Sequence, residues 1–187
     1  MRKILFTTLL LIFPLFFLAG CAASNRQIAP LNVPLNNPNH MIKITSPTYN
    51  EGGFIPAKYA CDGQNINPPL SISQIPAAAK SLVLILDDPD APRGTWTHWI
   101  VFNIDPQTAE IAENSLPAGA KLGKNDYGKD KYSGPCPPSG VHRYIFHVYA
   151  LDTILNLSDD AALDAVRSAM DGHILDSAEL LGKYQRK

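Results

Sequence analysis

The chain has 187 residues, 45% apolar and 18% charged, an ordinary globular composition with room for one domain plus extra segments. Its 16 basic and 17 acidic residues leave a formal charge of −1. No basic field exists to hold a nucleic-acid backbone, which removes nucleic acid as an expected partner.

In chain order, Arg2 and Lys3 precede an apolar run from Ile4 to Leu18 that closes on Leu18-Ala19-Gly20-Cys21. About 15 apolar residues fall short of the roughly 20 needed to cross a bilayer, so residues 1–20 read as a secretory leader. The Leu-Ala-Gly-Cys end resembles a bacterial lipobox. That resemblance implies that Cys21 receives a diacylglycerol on its thiol and a fatty acyl chain, such as palmitate, on its new amine. The protein would then be a lipoprotein of the cell envelope. Ala22, where an Asp would signal retention at the inner membrane, is similar to Gram-negative sorting to the periplasmic face of the outer membrane. Loss of Arg2 and Lys3 with the leader takes the formal charge from −1 to −3. Residues 21–40 carry Pro30, Pro34 and Pro38 among five asparagines and only scattered apolar side chains, the composition of an extended tether.

The folded domain is expected over 41–187, without internal repeats. Met41–Ile44 alternates, while Leu82–Leu86, Ile100–Ile104 and Tyr144–Leu151 are short apolar runs bounded by Pro, Gly and Asn, so these segments predict strands. One helix is predicted after Ser158 as N-cap, with Asp159 and Asp160 at its positive end, Leu163, Val166 and Met170 at helical spacing, and Gly172 as its stop. A second short helix is predicted over Ile174–Leu181, ended by Gly182. The fold class is therefore mainly β and antiparallel, with short C-terminal helices.

Two segments concentrate groups that bind or move protons. One is Asp87-Asp88-Pro89-Asp90-Ala91-Pro92, running on to His98-Trp99; the other is Gly140-Val141-His142-Arg143-Tyr144. Each borders an apolar run, so neighbouring strands would bring them to one mouth. Period two puts His142 and Tyr144 on one strand face and His147 on the other, where a structural role is expected. Each residue alone also has a plain explanation. The Asp-Pro-Asp-Ala-Pro segment can be an Asx turn, His98 a satisfied buried histidine and Tyr144 core. His40 and His173 reach no motif.

Five blocks occur in order: Cys61-Asp-Gly-Gln-Asn-Ile-Asn-Pro-Pro-Leu70; Asp88-Pro-Asp-Ala-Pro92 with His98-Trp99; Asn125-Asp-Tyr-Gly128; Tyr132-Ser-Gly-Pro-Cys-Pro-Pro-Ser-Gly140; and His142-Arg-Tyr-Ile-Phe146 with Tyr149-Ala-Leu-Asp152. Together they resemble the phosphatidylethanolamine-binding protein (PEBP) family, in its bacterial Raf-kinase-inhibitor-like branch, over almost all of 42–187. Ser71-Ile-Ser73 departs from it where many members carry a Trp. The resemblance implies a β-sandwich with a small anion pocket formed by Asp88, Asp90, Pro92, His98, Gly134, Pro135, His142 and Tyr144. The ligand would be phosphate or a phospholipid headgroup. No cofactor is implied, and any protein partner is unspecified.

Two carboxylates in an anion pocket repel a like charge unless one of them, Asp88 or Asp90, orients an imidazole so that its other nitrogen meets the ligand. A small hydrolase using the Asp/His cluster, perhaps with a metal, is the alternative. Against it, the chain has no His-Glu-x-x-His, Cys-x-x-Cys or Gly-x-Ser-x-Gly spacing, and Ser133 and Ser139 sit among loop residues. Catalytic and metal-ligand residues are therefore not expected. With Cys21 lipidated, Cys61 and Cys136 remain as an even pair in an oxidising compartment, which predicts a disulfide beside the pocket.

Overall fold

Ser81–Asp88 (β3) is buried at every position, because its uninterrupted apolar run is covered on both faces. The computed structural model describes residues 42–187; the leader, Cys21, the tether and Met41 lie outside the described residues. Around β3 a five-stranded antiparallel sheet forms in the order β6-β4-β3-β7-β8. Its other members are Trp96–Ile104 (β4), Lys121–Leu122 (β6), His142–Leu151 (β7) and Ile174–Tyr184 (β8). A smaller antiparallel sheet, in the order β1-β2-β5, holds Lys43–Thr45 (β1), Leu70–Ser73 (β2) and Glu110–Ile111 (β5).

Two cores lie on the two faces of the large sheet. Leu82, Leu84 and Leu86 of β3 join Tyr144, Phe146 and Val148 of β7 and meet Ile44, Leu70, Ile72 and Ile111 of the small sheet. Val83 and Ile85 face the other way, onto Val166 and Met170 of the helix Leu163–Met170 (α1). The helix begins four residues after its expected first turn. Ala162 occupies the N-cap, and Asp160 is a left-handed turn residue (φ 65°) whose N–H reaches Leu122 O. Gly172, at φ 77°, ends the turn after the helix as expected.

The predicted helix over Ile174–Leu181 is wrong: the segment lies within β8, paired with β7 from Leu151↔Ile174 to His142↔Tyr184. Ile174, Asp176, Leu180, Gly182 and Tyr184 are buried at even spacing, a period-two pattern that the polar residues between them obscured. Among the described residues the fold has one short α-helix rather than two.

At the end of β3, Asp87 points to the helix side. Thr97 Oγ1 donates to its Oδ1 at 2.8 Å, Arg167 Nη2 approaches its Oδ2 at 3.4 Å, and His147 Nε2 stands 3.8 Å away. Burial holds the Asp87 carboxyl above its usual range against the opposing pull of His147, Thr97 and Arg167. His147, whose Nδ1 also meets Glu179 at 3.0 Å, thus belongs to the helix side of the sheet. Replacing Arg167 by Ala removes one of the partners of a buried carboxylate, leaving Thr97 and His147, and should cost about 1–3 kcal/mol near neutral pH. Because the carboxyl's pKa is raised, its charge, and with it the deficit, grows as pH rises and shrinks as pH falls. Urea denaturation of wild type and Arg167→Ala at acidic and neutral pH checks this; an equal deficit at both contradicts it.

Candidate functional site

Asp88 leaves β3 on the face opposite Asp87. Its Oδ1 accepts the Asp90 N–H at 2.9 Å, closing an Asx turn, and its Oδ2 meets His142 Nδ1 at 2.8 Å. Since a carboxylate only accepts, His142 donates from Nδ1. Tyr144, two residues along the same face of β7, lies wholly buried below, its ring centroid 5.3 Å from that of His98. Burial, then the Asp88 charge, push its phenol far above the usual range, so Tyr144 stays neutral.

His98 reaches this face through an irregularity. The β3–β4 register passes from Leu86↔Trp99 to Asp87↔Thr97, leaving His98 without an opposite partner. This β-bulge puts two consecutive residues, His98 and Trp99, on the inter-sheet side. His98 Nδ1 donates to Ser133 O at 2.8 Å. Burial pulls its pKa below the ordinary histidine value, although the Ser133 carbonyl and Asp88 favour the charged ring. The neutral ring therefore carries its proton on Nδ1, donated to Ser133 O, and the Gly134 backbone also interacts with the ring.

Residues 133–136 form a strap across this end. Gly134 N–H donates to Asn65 Oδ1 at 2.7 Å, Cys61 N–H to Pro135 O at 3.0 Å, and Cys136 N–H to Tyr144 Oη at 3.3 Å. Asn125 Nδ2 holds His98 O, Lys131 O and Ser133 Oγ together. A Cys61–Cys136 disulfide, with Cα atoms 5.4 Å apart, ties the strap to the loop before β2.

A cavity of about 250 Å³ opens between the strap and the turn after β3, lined by Asp88, Pro92, His98, Arg93, Trp96 and Tyr127 among others. Three of the eight residues named from the sequence, Asp88, Pro92 and His98, form its wall, and Cys136 does so as well. His142 and Tyr144 stand behind that wall, and Gly134 and Pro135 contribute strap backbone. Asp90 is turned elsewhere. Its carboxylate takes Arg143 Nε and N–H at 2.9 Å and Nη2 at 2.6 Å, and this clamp depresses its pKa to about 2. Among the described residues no group of three or more His, Cys, Asp or Glu side chains converges as a metal site would.

The phosphatidylethanolamine-binding protein family profile matches residues 45–185. The chain belongs to the phosphatidylethanolamine-binding protein family. It is 51% identical over 150 residues to a UPF0098 protein of Methanothermobacter thermautotrophicus, covering 78% of this chain and 99% of that one. A UPF0098 protein of Chlamydia trachomatis is 44% identical, also over 78% of this chain and 99% of its own length. Among solved structures, a PEBP homologue of C. trachomatis matches with a TM-score of 0.76 and 43% identity over 79% of this chain and 99% of that one. The E. coli protein YbcL matches with a TM-score of 0.74 and 29% identity over the same shares.

Within this PEBP chain the residues that sequence reasoning missed are Arg93, Trp96 and Tyr127. Arg93 directly follows the Asp-Pro-Asp-Ala-Pro segment, and its exposed guanidinium has no ion pair among the described residues, a signal that adjacency alone could have raised. Tyr127 stands edge-on to both Trp96 and His98, at 5.4 and 5.5 Å. Trp96 Nε1 is buried, and the nearest group able to take its proton is the Tyr127 hydroxyl.

Gly134 is required by close approach: a Cβ there would lie 2.1 Å from Tyr59 O and 2.9 Å from Asn65 Oδ1. Gly134→Ala should therefore push the strap outward and destabilise the fold by about 1–3 kcal/mol. Thermal and urea unfolding measure it, and stability equal to wild type would contradict the tight strap.

Proposed function

We propose that this PEBP chain is a binding protein for a small phosphate-type anion or phosphorylated headgroup, held in the cavity at the end of β3. The observation that carries it is the distribution of donors. Both Asp88 oxygens are engaged, by Asp90 N–H and His142, whereas the Arg93 guanidinium has no ion pair among the described residues and lines the same space as His98. The cavity holds about eight water molecules' worth of space, enough for an oxyanion carrying a short substituent. Pro92, Pro138, Ala91 and the Trp96 and Tyr127 rings suit the carbon part of such a ligand.

The lipobox resemblance supports an envelope-anchored form. In that form a tether from Cys21 meets the domain at Ile42, whose N–H donates to Asp176 Oδ2 at 3.0 Å. Asp176 pairs with Ala150, eight residues along β7 from His142 and so roughly 26 Å from the cavity end at about 3.3 Å per residue. The cavity thus lies at the end of the sheet away from Ile42. Fatty-acid probe labelling should be lost in Cys21→Ala; persistent labelling would remove the anchor from the proposal.

Calorimetric titration of phosphate and of glycerophosphoethanolamine tests the pocket. His98 is neutral in the empty cavity because burial lowers its pKa, and an anion favours its charged form, so affinity should rise as pH falls. The gain approaches tenfold per pH unit if one proton is taken up. Sulfate, whose charge is constant between about pH 8 and pH 6, separates this from ligand protonation. Arg93→Ala and His98→Ala should each weaken binding about tenfold or more. Unchanged affinity in both variants would overturn the site.

A further inference from the structure

We infer a second ligand site, for a small hydroxylated carboxylate of the sugar-acid class, in a cleft at the β6 edge of the sandwich. This cleft of about 250 Å³ lies on the other side of the His98–Trp99 bulge. Trp99, Ile66, Leu116 and Leu122 supply carbon surface, and Leu116 is 41% exposed at the rim. The polar wall is Asn65, Asn114, Ser115 and Lys131.

Hydrogen-bond bookkeeping on that wall specifies the ligand. Asn67 is consumed by the protein: its Nδ2 donates to Ala112 O at 2.9 Å and to Pro68 O at 3.1 Å, and its Oδ1 accepts Ser115 N–H at 3.0 Å. Asn65 uses Oδ1 for the strap, which leaves Nδ2 without a partner among the described residues. The Asn114 amide and Lys131 Nζ likewise have none, and Ser115 Oγ, which donates to Ala112 O, keeps its lone pairs. No Asp or Glu lines the cleft. Three donor groups on exposed side chains, one of them a cation, have no protein partner among the described residues, and no acidic side chain lines the cleft, so the complementary ligand is rich in acceptors and carries a negative charge. The carbon walls and a volume above that of a bare oxyanion suit a carbon body with hydroxyls, the size of one sugar ring. The first cavity differs in having a carboxylate, Asp88, in its wall, with both oxygens engaged by Asp90 N–H and His142.

The chain's two tryptophans allow the sites to be separated, because Trp96 lines the first cavity and Trp99 the second. In a Trp96→Phe variant, Trp99 fluorescence reports the cleft alone. Glucuronate should change it saturably in the millimolar range, the affinity expected of a single-ring ligand held by one ion pair and a few hydrogen bonds, while glucose should not. Lys131→Ala, at an exposed side chain whose backbone carbonyl stays available to Asn125, should raise the Kd at least tenfold and leave phosphate binding by the first cavity unchanged. No saturable change with glucuronate, an equal response to glucose, or an affinity untouched by Lys131→Ala would each overturn the second site.

Discussion

A strand buried on both faces cannot end in charge without providing for it, and β3 ends in two adjacent carboxylates that point in opposite directions. Asp87 draws Thr97, Arg167 and His147 to the helix side. Asp88 draws the Asp90 N–H and His142 to the inter-sheet side. An unpaired buried carboxylate is costly, so these partners are obligatory, and they fix where α1, β7 and the turn after β3 come together. The Asp90–Arg143 clamp then pins the outer limb of that turn to β7. The cavity is what remains between elements positioned for these reasons.

The bulge at His98 is the second constraint. Strict alternation would send one of His98 and Trp99 to the helix side. The unpaired residue places both between the sheets, so one short stretch of β4 serves two clefts. The strap at 133–136 sits between them. It is held by Asn65, Asn125 and a disulfide rather than by a packed apolar face. A cross-link closing a 75-residue separation removes freedom from the unfolded chain worth about 4 kcal/mol in the loop-entropy picture.

Much of this was legible in the residues. The segments Leu82–Leu86, Ile100–Ile104 and Tyr144–Leu151 are strands whose apolar residues, Ile145 apart, are buried, with Asn103 and His147 as their polar interruptions. Period two placed His142 and Tyr144 opposite His147. The five blocks pointed to the family, and the remaining cysteine pair is joined in the structure. What stayed hidden depends on partners distant in sequence. Strand β8 carries Glu179, Ser177 and Lys183 between its buried positions, so only its pairing with β7 defines it. Asp90 looks like a pocket residue until Arg143, 53 positions away, claims both its oxygens. A bulge has no signature in a lone strand, since it is defined against the register of its neighbour. Arg93 and Tyr127 were missed because a lone cation and a lone aromatic in loops have too many ordinary uses.

The central claim is that His98 stands neutral at the cavity with its proton on Nδ1, donated to the Ser133 carbonyl, and its Nε2 open to a ligand that brings or induces a second proton. Long-range proton–nitrogen NMR of the imidazole rings reads this directly. Near neutral pH without ligand, His98 should show a protonated Nδ1 and a bare Nε2, and saturating sulfate should convert Nε2 to the protonated form. A ring already protonated at Nε2 in the ligand-free protein, or one whose nitrogens do not respond to sulfate, would contradict the account.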